Sequence, residues 1–334
     1  MSRRLTIVCL VGVLATPALT LAFTLASGEL ISRAPAAFGA GRSSAAFDQA
    51  RAALVMLGVI YIAQQVLPLV FGNANLRLQN RVDREVTTRV MRAVAAPVGV
   101  AHLEDPATLD EIEKALGNLR GRSAGVAATQ MFALWSTRIM GVGGVWLVAR
   151  FSLLLAAVLA TIAVIERRFW VKRYDDVTTA IFNRGQVHRR TIYFRQVALT
   201  PEPAKEVRAF GLASWLNNRF DTTWADSMST VWPKMRGRPL TTSLYVALPV
   251  AARGVGYVAV VAAALRGQID IGAVVVILRG IAEVSSLGAS GDADHAISEG
   301  VATFPAAMAL EARLLALRGA AEDAEAAAPA VGMP

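Results

Sequence analysis

Four charged side chains stand inside otherwise apolar stretches of this chain, and they are its most suggestive residues chemically. Arg138 lies in LWSTRIMG, Arg253 in VAARGVG, and Arg279 and Glu283 fall four apart in one run. A charge in hydrocarbon is costly, so it normally faces a cavity or a partner. One use is a translocation cavity lined by Arg138 and Arg253, with Arg279 and Glu283, favouring an anionic or amphipathic substrate. The alternatives are structural. Arg279 and Glu283 have the spacing of a helical ion pair, and the arginines can snorkel toward an interface.

Other chemistries lack their residues. The single cysteine, Cys9, allows no intrachain disulfide and no cysteine-based metal site. His102, His188 and His295 lie far apart and show no ligand spacing, so no metal is expected. A phosphate-gripping loop needs Gly-Lys before Ser/Thr. The four lysines, Lys114, Lys172, Lys205 and Lys234, follow Glu113, Val171, Ala204 and Pro233 instead. No LSGGQ-like motif and no Ser/His/Asp or paired-carboxylate constellation occurs on the apolar segments. The chain is therefore not expected to be an enzyme or to bind a cofactor itself.

The elements that would hold these residues are membrane helices. The chain of 334 residues is 54% hydrophobic, with mean hydropathy +0.46. About 20 apolar residues span the roughly 30 Å of hydrocarbon. By that test the spans are 5–27, 53–73, 124–149, 151–167, 240–265 and 271–290, with Pro68 a kink in the second. The apolar run after MSRR is too long for a signal peptide. The fold expected is an all-α membrane protein of six long helices.

The net charge of +9 does not point to nucleic acid, because the basic residues cluster beside the spans. Of the 34 Lys and Arg, 26 fall on the side holding both termini and the two long loops, and 5 on the other. Positive charge is retained in the cytoplasm, so both termini are expected there. The glycines of GVGGVW, 141–146, suggest close helix packing. Trp135, Trp146 and Trp170 suggest packing or interface anchors.

The inner loops, 74–123 and 166–239, read as helices continuing into the cytosol rather than as small soluble domains with their own cores. Arg77, Arg81 and Arg84 with Val82, Val86 and Val90 extend the second span until Pro97. Residues 166–195 read as another such helix. Each loop ends in a short capped element. In AHLEDPATLDEIEKA, 101–115, Asp105 is a predicted N-cap with Pro106 at the first helical position. Leu109, Ile112 and Leu116 then recur at helical spacing. In TPEPAKEVRAFGLASWL, 200–216, Thr200 is the predicted cap, Gly211 breaks the run, and a second helix runs from Leu212 to Phe220. Exposed Phe210 and Trp215 argue against a plain helical corner.

In order and spacing around six spans, these motifs resemble the transmembrane domain of ABC exporters of the six-helix, domain-swapped kind. HLEDPATLDEIEKA looks like the first intracellular loop of bacterial members, and EPAKEVRAFGLASWLNNRF like the second. GQIDIGAVVVIL, 267–278, resembles the approach to the sixth span. FPAAMALEARLLAL, 304–317, resembles the helix leading to the nucleotide-binding domain. The resemblance covers residues 1–318, with 319–334 a disordered, linker-like tail.

It implies coupling helices that dock on ATP-binding domains, around Glu104, Asp105, Leu109 and Glu111 in the first tip. In the second they involve Arg208, Phe210, Leu212 and Trp215. It also implies a second membrane subunit, identical or different, and a plasma or inner membrane location. ATP and Mg would be held by a partner subunit, since this chain carries no phosphate loop. The competing expectation is a truncated or regulatory membrane subunit without transport activity. A secondary transporter would show internal repeats, and none is evident.

Overall fold

The structure, a computed structural model, describes residues 3–40, 44–97, 99–117, 122–182, 185–229, 231–236 and 239–327. All its regular elements among these residues are helices: α1 (Arg3–Ala40), α2 (Ala45–Val94), α3 (Ala101–Glu104), α4 (Pro106–Leu116), α5 (Ala124–Ala149), α6 (Leu153–Phe182), α7 (Gly185–Leu199), α8 (Ala204–Ala209), α9 (Ala213–Ser229), α10 (Val231–Arg236), α11 (Pro239–Leu265), α12 (Ile271–Gly288), α13 (Asp292–Val301) and α14 (Thr303–Ala327). They form two compact units, one of Met1–Ala163 with Arg253–Pro334, the other Val164–Ala252.

Five helical runs among the described residues are long and apolar enough to cross a membrane: Arg4–Gly39, Ala45–Val94, Ala124–Ala149, Val231–Leu265 and Ile271–Ala320. The most apolar window of the second has 0% of its residues buried. Side chains such as Leu54, Val59, Ile62 and Leu69 stand exposed there, which water would penalise and lipid would not. The chain is an all-α, multi-pass membrane protein.

The count differs from the six expected. The missing one is the fourth, placed at 151–167. Helix α6 begins at Leu153 and meets Glu166, Arg167 and Arg168 just past Ile165. Its apolar stretch covers only about 20 Å at 1.5 Å per residue. The sixth expected span, 271–290, also differs. Helix α12 stops at Gly288, the chain breaks at 289–291, and α13 and α14 follow. In the expected tail, α14 continues to Ala327, because GAAEDAEAA is built from strong helix formers. Residues 328–334 lie outside the described part.

The larger unit is assembled around two seams. Where α5 meets α12, Gly141, Gly144 and Gly280 remove side chains, so the helices approach closely. A Cβ on Gly144 would lie 2.7 Å from the Val284 nitrogen and 2.8 Å from the Gly280 oxygen. GVGGVW thus serves packing. At the other seam α2 extends well past its apolar part, as its sequence predicts, and ends at Val94 with Ala95 as C-cap. Its Val86, Val90 and Ala93 pack with Ala115 of α4 and with Ala307, Leu310 and Leu314 of α14.

In the smaller unit α7 packs against α9, burying Leu216 and Thr191. Phe169 of α6 stacks on Tyr245 of α11 with centroids 3.8 Å apart. Arg173 donates to the Thr242 hydroxyl at 2.8 Å and to the Met235 carbonyl at 2.6 Å.

Candidate functional site

The first tip is α4. Asp105 caps it as its sequence predicts, accepting from the amides of Ala107 at 3.1 Å and Thr108 at 3.2 Å, with Pro106 at the first position. The Thr108 hydroxyl donates to the same carboxylate at 2.8 Å. That hydroxyl accepts in turn from Arg313 Nη2 of α14 at 2.8 Å, and the same nitrogen reaches Glu111 Oε2 at 3.0 Å. The Thr108 hydroxyl first, then the Ala107 amide, hold the Asp105 carboxyl below its ordinary value. Gly117, at φ +75°, ends the helix in the left-handed conformation that costs glycine nothing.

The face of α4 that is covered is Thr108, Ile112 and Ala115. Leu109, grouped by spacing with Ile112 and Leu116, is 46% exposed instead. Ile112 and Leu116 pack on the core as expected, and only in the first turn does Thr108 take the core side instead of Leu109, its hydroxyl satisfied by Arg313 and Asp105. Glu104 is exposed on α3. Thr108 and Arg313 were not singled out from sequence. The i, i+3 spacing of Asp105 and Thr108 is the available signal for the first, and nothing local marks the second.

The second tip is the α8–α9 corner. Gly211 has φ +63°. Its amide bonds to Arg208 O at 3.2 Å, and the Leu212 amide to Val207 O at 2.9 Å. This pair of bonds is a Schellman closure, and it needs a left-handed residue where Gly211 stands. Thr200 does not cap α8 as expected. Its hydroxyl donates to Gln196 O at 2.9 Å and closes α7, leaving Pro203 at the N-cap position. Phe210 is 74% exposed at the corner, while Trp215, 54% exposed, lies edge-on to Phe194 at 6.1 Å. Arg208 is exposed and Leu212 half-buried. Beside the corner, α7 and α9 leave a groove of about 620 Å³ edged by Arg190, Tyr193, Arg219 and Asp226.

Among the intramembrane charges, Arg279 Nη2 meets Glu283 Oε1 at 2.9 Å, one turn apart on α12. Arg253 is half-buried on α11. Arg138 is held by the end of α12: its guanidinium donates to Ser286 O and Leu287 O at 2.6 Å and to Ala289 O at 2.8 Å. Asp294 Oδ2 on α13 stands 3.5 Å away. Asp294 follows the apolar run, where hydropathy carries no signal for it, although GASGD just before it is a plain helix-break signal. No group of three metal-ligating side chains occurs among the described residues. His102 bonds to Val94 O at 2.9 Å, and the side chain of His188 lies outside the described residues. The chain matches no known protein family and no curated protein.

Proposed function

We propose that this chain is the membrane-spanning half of an ABC-type exporter. Substrate crosses by alternating access, powered by ATP binding and hydrolysis on separate nucleotide-binding subunits that hold ATP and Mg. A second membrane subunit, identical or not, completes the assembly in the plasma or inner membrane, with both termini cytoplasmic. The observation that carries this reading is the α8–α9 corner. A large aromatic, Phe210, is left 74% exposed on a backbone that the Gly211 closure makes rigid. An apolar knob on a rigid mount fits a socket on another protein. Helix α4 supports the reading too, because it is braced on α2 and α14 while turning Leu109 outward. Rigid helices of this kind suit a shear movement in which cytoplasmic closure is passed to a membrane cavity.

The test is copurification from native membranes. Phe210→Ala with Trp215→Ala should leave membrane insertion intact and cost about 1–2 kcal/mol of stability, chiefly the lost edge contact of Trp215 with Phe194. The same change should weaken retention of the ATPase subunit about 30-fold or more, the loss of at least one interface anchor of about 2 kcal/mol. Copurification and transport unchanged in the double variant overturn the docking role. A native complex without any ATPase overturns the exporter reading and favours a regulatory subunit.

A further inference from the structure

The break after α12 leaves carbonyls that a continuous helix would have bonded to residues 290, 291 and 293. Ser286 O, Leu287 O and Ala289 O all turn to one guanidinium, that of Arg138, at 2.6–2.8 Å. Asp294 brings a carboxylate oxygen to 3.5 Å of the same Nη2, with side-chain exposures of 17% for Arg138 and 9% for Asp294. Three carbonyls and one carboxylate, largely out of water, converge on a single positive charge. The ligand they hold happens to be tethered to α5.

We propose that residues 286–294 form a cation-binding nest of which Arg138 is the displaceable occupant. The ligand class it accepts in exchange is a guanidinium or primary ammonium group. Asp294 supplies a carboxylate, and the carbonyls accept hydrogen bonds that such donors supply in a fork or a tripod. A hard divalent ion would need six or more oxygens. The element that carries the carboxylate is α13. It is ten residues long, bounded by the 289–291 break and by the end at Ala302, and Gly291 has no atom near its Cβ position. Its far end is pinned by Arg122 and Glu299 at 3.4 Å. The nest does not depend on the exporter reading, and its test measures occupancy without transport.

The experiment uses the purified full-length protein in detergent, with the thermal unfolding midpoint as readout and guanidinium chloride as probe. Arg138→Ala should lower the midpoint. Guanidinium on the order of 10–100 mM, the range that stands in for a short tether's effective concentration, should recover at least half of that loss. Urea, of similar shape but uncharged, and KCl at equal ionic strength should recover none. In the Arg138→Ala, Asp294→Asn protein the guanidinium recovery should disappear. A midpoint unchanged by Arg138→Ala, no recovery by guanidinium, or recovery that survives Asp294→Asn overturns the proposal. Where Arg138→Ala does not accumulate, Arg138→Lys and Arg138→Gln decide it. The nest requires Lys to be the more stable of the two, and equal or reversed midpoints refute it.

Discussion

Gly144 offers the sharpest measure of what holds the larger unit together. A methyl group there would stand 2.7 Å from the Val284 nitrogen and 2.8 Å from the Gly280 oxygen, against 3.4–4 Å for ordinary contact. Both atoms are backbone, so no side chain can rotate away and α5 must separate from α12 by more than half an ångström. A gap of that size forfeits about a quarter to a half of each affected contact. Leu147, Val148, Ile281 and Val284, all at most 2% exposed, lie along this seam. Overpacking costs about 1–3 kcal/mol, while replacing a helical glycine with alanine returns about 1 kcal/mol. Gly144→Ala should therefore be net destabilising by up to about 2 kcal/mol, and Gly144→Leu by more. Gly58→Ala on α2, where nothing lies within 4 Å, shows the propensity gain alone and should be neutral or stabilising by up to about 1 kcal/mol. Thermal unfolding in detergent, at roughly 2–4 °C per kcal/mol, separates the pair. A Gly144→Ala protein as stable as Gly58→Ala would show that the close approach contributes nothing.

The Asp105 cap gives a pH prediction. Its folded-state value is depressed, so the stabilisation of α4 is fully present above the unfolded value of about 3.9 and is lost as pH falls through the lower folded value. Protection of the Ala107 and Thr108 amides in hydrogen exchange should hold from neutral pH down to that window and collapse below it. Asp105→Ala should lose it at every pH. For topology, Leu109→Cys and Phe210→Cys in a Cys9→Ser background should both resist a membrane-impermeant thiol reagent in intact cells and react after lysis. Labelling of one of them in intact cells would place the two tips in different compartments.

Much of this architecture was legible in the sequence, and the misses share causes. Helix ends marked by local chemistry were readable: the Asp105–Pro106 start, the Gly211 break, and the extension of α2 up to Pro97. So was the Arg279–Glu283 pair, because one helical turn is a local distance. What depends on partners distant in sequence was not. The burial of Thr108 in place of Leu109 involves Arg313, some two hundred positions further along the chain. Thr200 serves the end of α7 rather than the start of α8, a choice between two adjacent helices that one hydroxyl cannot announce. The grip of Arg138 on 286–294 joins a mid-span charge to a break that hydropathy alone smooths over.

The shortfall in α6 bears directly on the proposed topology. The first tip lies between α2 and α5, the second between α6 and α11. With α5 crossing, the tips share a compartment only where α6 crosses too. Its apolar stretch of about 20 Å leaves roughly 10 Å of a 30 Å bilayer uncovered. At a fraction of a kcal/mol per ångström, that mismatch costs a few kcal/mol. Arg167 and Arg168 lessen it by reaching their charged ends toward the headgroups while their stems stay in the apolar layer. Phe169 and Trp170 follow directly, in the aromatic pair that suits the interface. The alternative leaves α6 on the outer side together with the loop 166–239, which carries 14 of the 34 basic residues. A loop longer than about 60 residues translocates largely regardless of its charge, so these basic residues favour the cytoplasm less firmly than those of a short loop would. Five crossings and six therefore differ in the compartment they give the second tip, and the Phe210→Cys measurement decides between them.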